Sequence, residues 1–371
     1  MVIGTNTAAS VRPPSHSEYA WDYAVFRAYG GGALIEDASP GGAYVIAGTG
    51  GHAAPPNFGG ALFDFADATW KRRDNANGMP WMVRDLNEPP HTGEIDAFGE
   101  ITYPGVTSGI PAPAHVYGTV LSQAHGGGAR GSALLLHSAA AGSDSNSGSG
   151  HAHRFDIATG AWTRLSTNAH LGNSGFRTAA YDPVLDRYYL VRFELHENGG
   201  IDYLDGHDWT WKVAAYPTPA ADGATMSAFV DEARRLLIMQ TSTGKLRALD
   251  LDHVDAGVVT LNVVGVLPAD SQSRWHRYPP DGCWYTYEGN GGNALHRIVP
   301  PASAPLTSTW TVGTVAIAGA ALPSQPAEAL ASGAVHNTRF FYVPSIGCFA
   351  WIAGGDQPVV VLKPPPLGGP G

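Results

Sequence analysis

The residues that could do chemistry are fifteen histidines, two cysteines and thirty-two carboxylates. Metal binding is the first chemistry to weigh. His151 and His153 alternate, so both project from one face of a strand. His115, His125 and His137 crowd a single stretch. None of these has zinc-type spacing with a carboxylate or thiolate partner, and main-chain-bonded strand and loop histidines account for them. The loop GSDSNSGSG (142–150) offers Asp144, Asn146 and Gly148 at alternate positions. That is a fragment of a calcium loop without its distal glutamate, and a Gly/Ser hairpin tip explains it as well. No metal and no cofactor is expected.

Acid–base hydrolysis is the second. Glycoside cleavage uses two carboxylates facing each other across roughly 5–10 Å. The acids outside any pattern are Glu94, Asp96, Glu194 and Glu288, and no pair among them identifies itself. No catalytic residue is assigned.

The remaining carboxylates fall into a pattern, and the pattern reveals the elements. An apolar residue followed by Asp, with Trp six positions beyond the Asp, occurs in FDFADATW (Asp64, Trp70), FDIATGAW (Asp156, Trp162) and LDGHDWTW (Asp205, Trp211). LDLDHVDAGVV keeps Asp250 and loses the Trp. LHRIVPPASAPLTSTW puts His296 at the Asp position and reaches Trp310 late, and VVVLKP ends the series near Lys363. Glycine precedes each copy, as tight hairpins require. Upstream, Tyr181, Phe229, Tyr278 and Tyr342 each precede a Pro- or Asp-bearing turn and an apolar strand, a second hairpin. Two hairpins in series make a four-stranded blade.

Catalysis needs a carboxylate once or twice, whereas a turn needs one in every repeat. The recurring Asp are therefore structural, and the Trp should pack between blades. Steps of 49, 45 and 46 residues separate positions 156, 205, 250 and 296, one blade each, while the step from 64 to 156 is 92. Segment 71–114 has no such unit, and its prolines argue against sheet. It reads as an inter-blade insertion, with the next blade opening at 115–121.

The expectation is an all-β fold, a single β-propeller of six blades, seven being the alternative. One domain spans 1–363, an N-terminal strand within 1–29 closes the ring, and 364–371 is a Pro/Gly-rich tail.

The Gly-Gly doublets, the aromatic-then-Asp strand, the Trp at fixed spacing and PAPAHVYG (111–118) resemble kelch repeats and the galactose-oxidase-like propeller. The resemblance implies an interaction platform more often than an enzyme, and related propellers occur among phage tail and receptor-binding proteins. The copper-radical oxidases of this type need a Tyr–Cys crosslink, a second Tyr and two His. Cys283 and Cys348 instead occupy matching repeat positions, and Trp275-His276 lacks the tyrosine.

Polar residues that break the repeat carry the functional expectation. Arg177 and Arg274 precede Tyr181 and Tyr278 by four residues, and His276 and Arg339 fall on the equivalent strands. Innermost strands line the channel, so these four could meet at one mouth and bind carboxylates or sialic-acid-like sugars. Alternatively they plug the channel through water and carbonyl contacts. Within 71–114, Trp81 and His91 suit glycan stacking or a protein contact.

Charge narrows the partners. With 22 basic and 32 acidic residues, the net charge is −10. Four scattered lysines give no footprint for nucleic acid. No apolar run reaches the ~20 residues of a membrane helix. The N-terminus lacks a basic region and apolar core of secretory type, so synthesis in the cytoplasm is expected, with a virion as one destination. Two readings result: a non-catalytic binding or assembly module for a protein or glycan, part of a virion or other surface assembly, or a glycan-active or oxidative enzyme at the channel mouth.

Overall fold

The computed structural model describes residues 1–11, 31–47, 60–73, 94–95, 100–103, 106–111, 119–123, 131–136, 151–166, 177–192, 200–215, 225–268, 274–325 and 337–365. Six antiparallel sheets form a six-blade propeller. After β1 (Val2–Ile3), blade 1 holds β2 (Gly32–Ile35), β3 (Ala43–Ala47), β4 (Gly60–Asp64) and β5 (Thr69–Arg73). A separate three-stranded sheet follows, of β6 (Glu94–Ile95), β7 (Glu100–Tyr103) and β8 (Val106–Pro111). This corrects the expectation that prolines keep 71–114 free of sheet: Pro111 lies on β8, an edge strand of this sheet, where a missing N–H is tolerated, and Lys71–Arg73 already belong to β5 of blade 1.

Blade 2 is β9 (Val120–Gln123), β10 (Ser132–Leu135), β11 (His153–Asp156) and β12 (Trp162–Arg164). Blade 3 is β13 (Arg177–Asp182), β14 (Arg187–Arg192), β15 (Ile201–Asp205) and β16 (Trp211–Ala215). Blade 4 is β17 (Thr225–Asp231), β18 (Leu236–Thr241), β19 (Leu246–Asp250) and β20 (Val258–Thr260). The chain then crosses directly through β21 (Asn262–Val264), which adds a parallel fifth strand to the rim of blade 5. That blade also holds β22 (His276–Arg277), β23 (Trp284–Thr286), β24 (Ala294–Val299) and β25 (Thr309–Ala316). Blade 6 is β26 (Phe340–Val343), β27 (Cys348–Ile352) and β28 (Val359–Leu362), completed by β1.

The expected N-terminal closure is present. Val2 and Ile3 pair with Val360 and Val359. The following residues then tie blade 6 to blade 1. Asn6 imitates a strand: its Nδ2 donates to Trp70 O at 3.0 Å and its Oδ1 accepts from Trp70 N at 2.7 Å. Ala9 N donates to Gly355 O.

The buried apolar residues divide into six clusters, one per seam between neighbouring blades. Middle strands are covered on both sides and therefore read as unbroken apolar runs. In β14, Tyr188 and Leu190 face blade 2 while Tyr189 and Val191 face blade 4. Outer strands alternate, as β25 does with buried Trp310 and Val312 between exposed neighbours. Each repeat Trp packs onto the preceding blade: Trp70 on blade 6, Trp162 on blade 1, Trp211 on blade 2 and Trp310 on blade 4.

The repeat Asp residues spend their oxygens on their own turns. Asp64 Oδ1 accepts from Ala66 N and Ser39 Oγ while its Oδ2 accepts from Lys71. Asp205 repeats the arrangement with His207 N and Lys212. Asp156 accepts from Thr159 N, and Asp250 from Asp252 N. Four residues beyond the Asp the chain turns left-handed, at Ala68, Gly160 and Trp209. Lys71 and Lys212 hold Asp64 and Asp205 below the usual carboxylate range, against the opposing pull of burial.

His296 is not at the Asp position. It lies inside β24 opposite Thr286, and Val299 closes that strand as Asp64 closes β4. The connection to β25 is long here and needs no Asx turn: Trp310 Nε1 donates to Pro305 O instead.

Candidate functional site

The predicted channel-mouth residues lie at or just before the starts of three innermost strands, β13, β22 and β26. Arg177 opens β13 and pairs through its backbone with Arg192, its side chain lying outside the described residues. Arg274 sits two residues before β22, rather than on the strand itself. His276 opens β22, and Arg339 ends a 3-10 turn (Asn337–Arg339) leading into β26. Trp81 and His91 lie outside the described residues.

The structure brings Arg274 and Arg339 together through a residue that sequence reasoning missed, Tyr44 of blade 1. Its hydroxyl is 3.2 Å from Thr338 Oγ1, which also accepts from Gly32 N at 2.9 Å. Position 32 must be glycine, because a Cβ there would lie 2.5 Å from the Tyr44 hydroxyl and 2.7 Å from Val45 O. The Tyr44 ring stacks on Phe341 at 4.4 Å. Burial pushes the phenol pKa up; the Thr338 hydrogen bond and the charges of Arg339 and Arg274 act against that rise.

Both arginines bond to main-chain carbonyls. Arg339, 2% exposed, donates from Nη1 to Ala353 O at 3.2 Å. Arg274 donates from Nη2 to Val120 O at 2.9 Å. Val120 belongs to blade 2 and Arg274 to blade 5, on opposite sides of the ring, so this guanidinium spans the channel. Desolvation pushes its pKa down to about 10. His276 is pushed down to about 3, first by desolvation and then by the charge of Arg274, and it stays neutral at ordinary pH. Its Nε2 is sealed from solvent and has no hydrogen-bond partner among the described residues.

Around this mouth the seams are stitched by further polar contacts. Trp275 Nε1 donates to Gln240 Oε1, and Gln240 Nε2 to Pro268 O. Thr178 Oγ1 accepts from Ala228 N between blades 3 and 4. Sequence gives no signal for these, since each joins strands of different repeats. His151 bonds through Nδ1 to Ser166 O, as expected of a main-chain-bonded histidine. The thiols Cys283 and Cys348 are both free, and burial pushes the former up to about 11. No group of three metal-ligating side chains occurs among the described residues. Nor, among them, is any helix long and apolar enough to cross a membrane.

No family model and no curated sequence matches this chain. Among solved structures it is similar to a structural-genomics protein of unknown function from Bacteroides thetaiotaomicron, at 12% identity and TM-score 0.48, covering 97% of this chain and 74% of that one. It is similar to the major Malassezia sympodialis allergen Mala s 1 at 10% identity and TM-score 0.49, with 89% and 92% covered. A YCF48 structure bound to D1 peptide matches at 12% identity and TM-score 0.32 over 57% of this chain and 58% of that one.

Proposed function

We propose that this chain is a non-catalytic binding module, a kelch-like propeller that recognises a protein or glycan partner through the channel mouth. One observation carries the reading. Arg274 and Arg339, just ahead of the inner strands β22 and β26, are charged side chains whose fields both act on Tyr44, in a chain whose net charge is −10. A locally positive mouth on an acidic body selects for partners that present a carboxylate or other acidic group. The recurring carboxylates that might serve hydrolysis are engaged in turns. In this reading residues 1–363 act as one domain, with the segment after Arg73 lying between blades 1 and 2 and adding Trp81 and His91 to the contact. Membership of a virion or surface assembly follows only from the resemblance to phage tail propellers.

A glycan array run beside a glycoside-hydrolysis and an oxidation assay tests the proposal. Binding that weakens at least tenfold in Arg177→Gln, with no turnover of the bound glycan, is the expected result. Turnover that disappears in Glu288→Gln would overturn it.

A further inference from the structure

The connection from β23 to β24 runs through 287–293, with glycine at 289, 291 and 292. Gly289 and Gly291 have φ of 71° and 79°, the left-handed region that glycine enters without steric cost. At 291 space is short as well, since a Cβ there would lie 3.1 Å from Ser324 Cβ. The turn therefore demands glycine directly after Asn290, which stands exposed at its tip. Of the other described asparagines, Asn6 and Asn337 precede threonine, Asn262 precedes valine and Asn293 precedes alanine.

The Asn290 side chain is held at both ends. Its Oδ1 accepts from Gly292 N at 3.0 Å, an Asx turn, and its Nδ2 donates to Glu288 Oε2 at 3.0 Å. His296 Nε2 lies 3.3 Å from the same carboxylate oxygen. The Gly291 N–H donates to Tyr287 Oη at 2.9 Å, so this nitrogen belongs to no strand ladder. The loop in turn fastens a second segment. Leu322 N donates to Gly292 O and Gln325 N to Gly289 O. Between them, Pro323 O accepts from Trp351 Nε1 of blade 6 at 2.8 Å.

We infer that Asn290 is a self-modification site: its side chain deamidates through a succinimide closed by Gly291, and the new acid loosens the strap from blade 5 to blade 6. Gly291 N gives its proton to water and bonds to Asn290 Cγ, closing an imide ring. A side chain on the attacking residue would crowd this approach, and glycine has none. The negative charge that gathers on Oδ1 during attack meets the Gly292 N–H already bonded to it. The Cγ–Nδ2 bond then breaks, and the nitrogen takes a proton from water and leaves as ammonia. Water adds across one of the imide C–N bonds and leaves an aspartyl or an isoaspartyl residue at 290. Either product sets a carboxylate where a donor now faces Glu288 Oε2. The two like charges repel, and the loop that holds Leu322 and Gln325 gives way.

The test incubates the full chain in mildly alkaline buffer and follows each asparagine by tandem mass spectrometry. Asn290 should gain the mass of an amide-to-acid exchange about tenfold faster than Asn6, Asn262, Asn293 or Asn337. The aspartyl and isoaspartyl forms should separate on chromatography. Asn290→Asp carries the product charge on an unbroken backbone. It should melt near the parent, with amide exchange at Leu322 and Gln325 severalfold faster. Adding Glu288→Gln to it should return that exchange toward the parent's, since the repulsion is gone. Conversion of Asn290 no faster than of the others, parental exchange in Asn290→Asp, or fast exchange that persists with Glu288→Gln would each overturn the inference.

Discussion

Arg274 of blade 5 reaches Val120 of blade 2 across the full channel, Nη2 to carbonyl oxygen at 2.9 Å. Blades in a ring contact only their neighbours, so a bond between opposite blades constrains the roundness of the ring as no seam can. The guanidinium that makes it is buried, and desolvation costs part of what the bond contributes. Arg274→Ala removes the bond and leaves a cavity at the mouth. It should lower stability by about 2–4 kcal/mol, read from the urea midpoint. Arg274→Met keeps the volume without the charge, and should lie within about 1.5 kcal/mol of the parent. Equal losses in the two variants would show that the strut rather than the volume matters.

His276 predicts the acid limb of the stability curve. Its pKa is near 6.5 when unfolded and about 3 when folded. Between those values the unfolded chain binds a proton that the folded one refuses, so stability is complete above pH 6.5 and declines as pH falls toward 3. The linkage amounts to at most about 5 kcal/mol. His276→Gln should flatten the stability profile between pH 6 and pH 4 relative to the parent. An unchanged slope in urea titrations at several pH values would refute this assignment.

Asp182 is 0% exposed and closes β13, from where it takes two bonds from Arg235 of the next blade, at 2.7 and 2.9 Å. The pair locks blade 3 to blade 4. Removing Asp182 forfeits both charged bonds and leaves Arg235 with its bond to Asp252, a loss of about 1.5–3 kcal/mol. Asp182→Ala should therefore destabilise far more than Asp205→Ala, whose Lys212 partner is half in solvent. Differential scanning calorimetry on the two variants decides it, and comparable shifts would contradict the inter-blade role.

The repeat was legible because it is local. Phe63, Asp64 and Trp70 lie within one hairpin, and so do Leu204, Asp205 and Trp211; hence blade number, seam tryptophans and turn carboxylates could all be read by spacing. His296 was misplaced for the same reason. Where the β24–β25 connection lengthens, the Asx turn disappears and Val299 takes the Asp place, so counting from the Trp fails. The mouth was half legible. Arg274, His276 and Arg339 stood out as charges or polar groups at repeat positions, but their partners did not. Val120 contributes a carbonyl, which every residue has, and Tyr44 looks like any aromatic of a second strand. Contacts between strands 154 residues apart leave no periodic trace.

The closing segment gives the last prediction. β1 covers just two residues of the four in β28, so the fourth strand of blade 6 is the shortest in the ring. Its weakness is offset by Asn6, whose amide makes two bonds to the backbone of Trp70, and by Ala9, which is bonded to Gly355. Asn6→Ala forfeits both amide bonds and leaves Trp70 N and O to find water, at about 1–3 kcal/mol. Removing residues 1–12 goes further: it bares the β28 edge and unlinks blade 6 from blade 1. Because the ring is cooperative only when closed, the truncated chain should melt several degrees lower and over a broader range. Hydrogen exchange should rise first in β28 and β5, the strands that the segment holds. A truncation that melts with the parent and leaves those amides protected would show that the seam of Phe341, Val343 and Trp70 closes the ring unaided.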